Sequence, residues 1–164
     1  MTNATSTGRV DSASRIIRAS PQTIYQAFLD PLAVAKWRPP TGMKAKILAF
    51  EPREDGTFRM ALTYTGSDHA VPGKSSEHVD VVQGRFLKLV PNERVVERVE
   101  FESDDPGFAG AMTITTILTA VSGGTKVTML CENVPPGIRT SDHEAGMTST
   151  LENLAAFTEG NVSS

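Results

Sequence analysis

The stretch SDHEAGMTSTLENLAAFTE, Ser141 to Glu159, decides the fold, because no other segment is long and periodic enough to be a dominant helix. Met147, Leu151, Leu154, Ala155 and Thr158 recur at three- and four-residue spacing, while Glu144, Thr148, Glu152 and Glu159 fall largely on another face. Ser141 or Asp142 can accept a hydrogen bond from a free backbone N–H of the first turn, and an acid there suits the positive helix end. So narrow an apolar stripe needs an opposite wall, and the chain upstream supplies strands.

Turn markers at Asp55-Gly56, Pro91-Asn92 and Gly123-Gly124 divide that upstream chain. They separate strand runs over Met43 to Glu51, Thr57 to Tyr64, Glu77 to Val90, Arg94 to Glu102, Gly110 to Ala120 and Thr125 to Asn133. A first strand over Val10 to Ala19, β-branched residues among arginines, suits a sheet edge and brings the total to about seven. Turns this short force antiparallel neighbours, since a parallel connection needs a dozen residues or more. Phe58, Met60, Leu62 and Tyr64 alternate onto one face, as do Met112, Ile114, Thr116 and Leu118, then Val127, Met129 and Cys131. One face of the sheet is therefore dry.

Two short helices follow the first strand. Ser20-Pro21 and Asp30-Pro31 each join a capping side chain to a proline at the first helical position, where the missing N–H costs nothing. Ile24, Ala27 and Phe28 form the inner stripe of one; Leu32 to Trp37 forms the other, stopped by Pro39-Pro40. The sum is an α+β domain, a curved antiparallel sheet wrapped around a long C-terminal helix.

Composition narrows the function. At 164 residues with 39% apolar side chains, the chain fits one domain over residues 10–164 behind a disordered tail over residues 1–9. A net charge of −3 without a Lys/Arg cluster offers nothing to neutralise a phosphate backbone, so nucleic acid is not an expected partner. No run approaches a membrane span and no signal-peptide core is visible, so we expect a cytoplasmic protein without membrane insertion. The single cysteine, Cys131, falls on the inner face of a strand and reads as core. His69, His78 and His143 lack metal-ligand spacing, and we expect neither metal nor cofactor.

Several phrases carry a family resemblance. ASPQTIYQAFLDPLAVAKW (residues 19–37), QGRFLKLVPNERVV (83–96), SGGTKVTML (122–130) and HEAGMTSTLENLAAF (143–157) resemble, in order, segments of the activator of Hsp90 ATPase homologue 1-like domain. That domain belongs to the SRPBCC, or START and Bet v 1-like, superfamily, and the resemblance spans roughly residues 14–160 and implies the helix-grip fold. Two departures fall where the family's cavity would be lined: Arg38 follows Trp37 where a second aromatic is common, and Gly146-Met147 stands where Gly-Trp is usual. They imply a reshaped pocket.

Candidate site residues follow from alternation. Trp37, Met43, Phe58, Met60, Tyr64, Met112, Met129 and Met147 could line one space, joined by Val99, Ile114 and Leu151; methionines make adaptable apolar walls. Glu97 shares the inner face of Val95, Val99 and Phe101, so either the register slips or the site is partly wet, or a pocket acid or hydrogen-bond partner sits there. His143, near the start of the closing helix, reads first as a solvated residue beside the cap and second as a pocket base. The loop Thr65 to Ser76 is either a lid or an ordinary hairpin loop.

Three functions are compatible with this. The leading one is a small-molecule binding protein holding a hydrophobic or amphipathic ligand between sheet and C-terminal helix, as the resemblance implies. The second is an enzyme of the polyketide cyclase/hydrolase type, with Glu97, Tyr64 and His143 as candidate catalytic groups. The third, regulation of an Hsp90-type chaperone, is weakest, because one domain stands alone without a recognisable chaperone surface. The exposed edge strand leaves a homodimer open.

Overall fold

The computed structural model describes residues 9–39, 42–64, 79–102, 107 and 110–162. The loop Thr65 to Ser76, with His69, and also His78 lie outside them, as do residues 1–8 and the side chain of Tyr64. In order, the chain forms β1 (Val10–Ile17), α1 (Pro21–Ala27), α2 (Pro31–Trp37), β2 (Met43–Phe50), β3 (Thr57–Tyr64), β4 (Val79–Val90), β5 (Arg94–Phe101), β6 (Met112–Val121), β7 (Gly124–Glu132) and α3 (Thr140–Val162). The seven strands make one antiparallel sheet in the order β1-β7-β6-β5-β4-β3-β2. The meander therefore runs from β2 to β7, and β1 closes against its far end.

Local chemistry explains the joints. The Ser20 hydroxyl accepts from Thr23 N–H at 3.1 Å and the Asp30 carboxylate from Leu32 N–H at 3.0 Å, each ahead of a proline in the first turn. The hairpin turns place Asp55, Asn92 and Gly123 at positive φ, the left-handed region these residue types tolerate best. Two β-bulges, between Ile47 and Ala49 and between Phe86 and Lys88, add a residue on one strand of a pair. Each bends its strand and turns the extra residue outward, which is why Leu48 and Leu87 are exposed.

The closing helix begins at Thr140, one residue ahead of the start expected from its polar residues. His143 N–H donates to the Arg139 carbonyl at 2.9 Å, so Ser141 and Asp142 lie inside the first turn and are not its cap. Its inner stripe is the expected one: Met147, Leu151, Leu154, Ala155 and Thr158 are all buried. The Thr158 hydroxyl satisfies itself on the Leu154 carbonyl at 2.7 Å.

One core fills the space between sheet and helices. Trp37 is fully buried, donates Nε1–H to the Ala27 carbonyl at 2.8 Å and packs tilted on Phe28 at 4.6 Å. Phe58 packs on Phe86 with ring centroids 5.1 Å apart. The C-terminal end of α2 is tied down by α3, where Thr150 Oγ1–H donates to the Arg38 carbonyl at 3.2 Å and Asn153 Nδ2–H to the Pro39 carbonyl at 3.0 Å. Among the described residues no helix is long and apolar enough to cross a membrane.

Candidate functional site: a methionine-lined cavity with two charged pairs

Curvature leaves a gap between the inner face of the sheet and the first half of α3, a cavity of about 560 Å³. Met43 of β2, Met60 of β3, Met112 of β6, Met129 of β7 and Met147 of α3 all line it. These are five of the chain's six methionines. Val99, Phe101 and Ile114 add branched and aromatic wall, and Gly146 contributes a strip without a side chain. Alternation on five strands and one helical stripe thus converge on one space.

Other expected wall residues sit elsewhere. Trp37, Phe58 and Leu151 lie in the solid core behind the cavity, held by the packing just described. Alternation assigns a side chain to a face but says nothing of its depth. Cys131 lies on the wall with its Sγ 3.7 Å from Met147 Sδ. Burial pushes its thiol up to about 12, so it behaves as a small apolar surface.

Two charged pairs break this apolar lining. Glu97 is 2% exposed and keeps its register, opposite Phe86 on β4 and Ile114 on β6. Its two oxygens each accept from one nitrogen of the Arg38 guanidinium, both at 3.0 Å. The bidentate geometry satisfies a carboxylate that would otherwise be stranded. Arg38 also lies over the Trp37 ring, 5.5 Å from its centroid. Arg38 touches the cavity, and Glu97 stands behind it.

The second pair joins β1 to the start of α3. Asp11 of β1 is buried, and its Oδ2 lies 2.7 Å from Nδ1 of His143. Arg9 donates to the same carboxylate through Nε at 3.2 Å and Nη2 at 2.9 Å. The Arg9 guanidinium, followed by the His143 ring, holds the Asp11 carboxyl below the usual carboxylate range. His143 lines the cavity beside Arg139 and Asp142, both exposed, so it is half-buried and paired, unlike the solvated residue that its position near a helix start suggests.

Arg9, Asp11 and Asp80 are not among the site residues expected from the sequence. Asp80 is also buried and on the wall. For Asp11 a signal existed: it alternates with Ala13 and Ile17, the same inner-face acid pattern as Glu97. Arg38 was visible only as a departure from the family pattern. Among the described residues, no group of three His, Cys, Asp or Glu side chains could hold a metal ion.

A curved antiparallel sheet gripping a long terminal helix around a cavity defines the helix-grip class. Within it, the chain belongs to the activator of Hsp90 ATPase homolog 1-like family, whose model matches residues 18–159. It is similar to a solved structure from Chromobacterium violaceum, at 31% identity and a TM-score of 0.79, covering 92% of this chain and 98% of that one. A Rhodobacter sphaeroides structure at 19% identity superposes with a TM-score of 0.75 over 94% of this chain and 95% of that one. An AHSA1-like protein from Aeromonas hydrophila, 15% identical, gives 0.69 over 93% and 94%. These last two speak for the fold alone. No curated protein matches the chain.

Proposed function

We propose that the protein binds a small hydrophobic or amphipathic molecule in the cavity between sheet and α3. The observation that carries this reading is the convergence of five methionines on a space of about 560 Å³. That volume lies within the range of small-ligand sites, and flexible thioether walls adapt to varied apolar shapes. Besides the buried Asp80, polar groups stand at two places on the wall, His143 with Arg139 and Asp142 and, two turns further along α3, Thr150 with Arg38. An apolar body with a polar substituent matches that distribution. Glu97 belongs to this proposal as the group that orients Arg38 from behind the wall.

The test is native mass spectrometry of freshly purified protein with denaturing extraction, alongside titration with the neutral fluorophore N-phenylnaphthylamine. Saturable fluorescence is expected, and Met60→Trp with Met129→Trp should weaken it about tenfold by occupying the space while near-UV circular dichroism stays native. Absence of both a retained molecule and saturable probe binding would overturn the reading. An enzyme of the cyclase or hydrolase type is the second reading, favoured by one observation, a carboxylate–imidazole pair whose His143 ring lines the wall.

A further inference from the structure

The pairing of Asp11 with His143 fixes more than a ring position. Arg9 binds the Asp11 carboxylate through two nitrogens, and the carboxyl is held low, so Asp11 is an ionised acceptor. The nitrogen facing it at 2.7 Å, Nδ1, therefore carries the proton. With Nδ1–H committed to Asp11, Nε2 accepts a hydrogen bond on the neutral ring and donates one on the imidazolium, and a hydroxyl can serve as partner to either. The ring lines the cavity, and Nδ1 is committed to Asp11, so Nε2 is the atom left to meet a ligand.

We propose that His143, oriented by Asp11, is the polar anchor of the cavity and selects apolar ligands that carry a hydroxyl group, an alcohol or a phenol. The ligand hydroxyl hydrogen-bonds Nε2 while its carbon body lies against Met112, Met129, Met147 and Cys131. A ligand without a hydroxyl leaves a half-buried ring nitrogen stripped of water, which costs affinity. Because Asp11 already holds the ring, little side-chain freedom is lost on binding.

The inference rests on the cavity-binding reading, and the experiment separates the two. Para-butylphenol and butylbenzene differ by one hydroxyl; each is titrated as a competitor of N-phenylnaphthylamine on the full chain. The readout is the ratio of their affinities, which cancels effects on the apolar body. His143→Asn is the decisive variant, because its side-chain amide can keep the donor to Asp11 while removing Nε2. The ratio should move about tenfold against the phenol in His143→Asn and in His143→Leu, and any change in fluorophore affinity cancels because both competitors are read against the same probe on the same variant. Asp11→Asn should move it the same way by less, since the ring then loses its fixed tautomer. An unchanged ratio in His143→Asn with saturable fluorophore binding overturns the anchor and leaves the cavity reading standing. If neither the fluorophore nor either competitor binds the wild-type protein, the cavity reading falls and this inference falls with it.

Discussion

Arg38 and Glu97 show how a charged pair survives on an apolar wall. Both side chains are largely withdrawn from water, at 12% and 3% exposure, and desolvation of two ions offsets most of their attraction. The pair is therefore costly to break and cheap to replace. Glu97→Gln should cost about 3 kcal/mol in urea unfolding, because it strands the guanidinium, whereas Arg38→Met with Glu97→Leu should stay within about 1 kcal/mol of wild type. A single substitution no worse than the double would show that the charges are not energetically coupled. The inner position of Glu97 was readable from alternation in its strand. Its counter-ion was not, since Arg38 comes from 59 residues earlier at the end of a helix. The same limit applies to Asp11 and His143, 132 residues apart. Periodicity reports a face; partners across the core are set by how elements pack.

Strands and turns were more readable, because their signals are local. Asp55, Asn92 and Gly123 mark hairpins through their own backbone preferences, and the Ser-Pro and Asp-Pro pairs mark helix starts. The bulges at Leu48 and Leu87 were not readable, since an extra residue within an apolar run leaves the pattern looking continuous. They matter because they bend the sheet, and Gly84 of β4 belongs to the same stretch. A Cβ on Gly84 would lie 2.5 Å from both the Arg98 carbonyl oxygen and the Phe58 ring, leaving the strand no room. Gly84→Ala should therefore lower stability by about 1–3 kcal/mol through displacement of Phe58 or the β5 backbone. Gly146 in α3 is the contrast, with nothing within 4 Å of an added Cβ. Gly146→Ala should raise stability by about 0.5–1 kcal/mol, as alanine does in a helix interior. Thermal melts of both variants check the pair of signs; equal effects would remove the distinction between a packed and an open glycine.

The whole molecule is closed by contacts between the two ends of the described chain. β1 completes the sheet beside β7, the Arg18 N–H donates to the Glu159 carboxylate at 2.9 Å, and Asp11 joins β1 to the start of α3 through His143. This closure makes stability sensitive to acid. Asp11 has an ordinary value of 3.8 when unfolded and a lower one when folded, because Arg9 and then His143 favour its carboxylate. Between those values the unfolded chain holds the extra proton, so stability rises with pH there. The contribution of Asp11 is complete above its unfolded value and is lost as pH falls through the folded one. Asp11→Asn removes that titration and one charged partner from both Arg9 and His143. Its urea midpoint should lie below wild type near neutrality, and the gap should close as the pH falls below 3.8. Wild type and variant running parallel through that window would mean that the bond between Asp11 and the closing helix does not contribute to folding. Convergence would place a measurable share of the fold's acid sensitivity at the junction where its first strand meets its last helix.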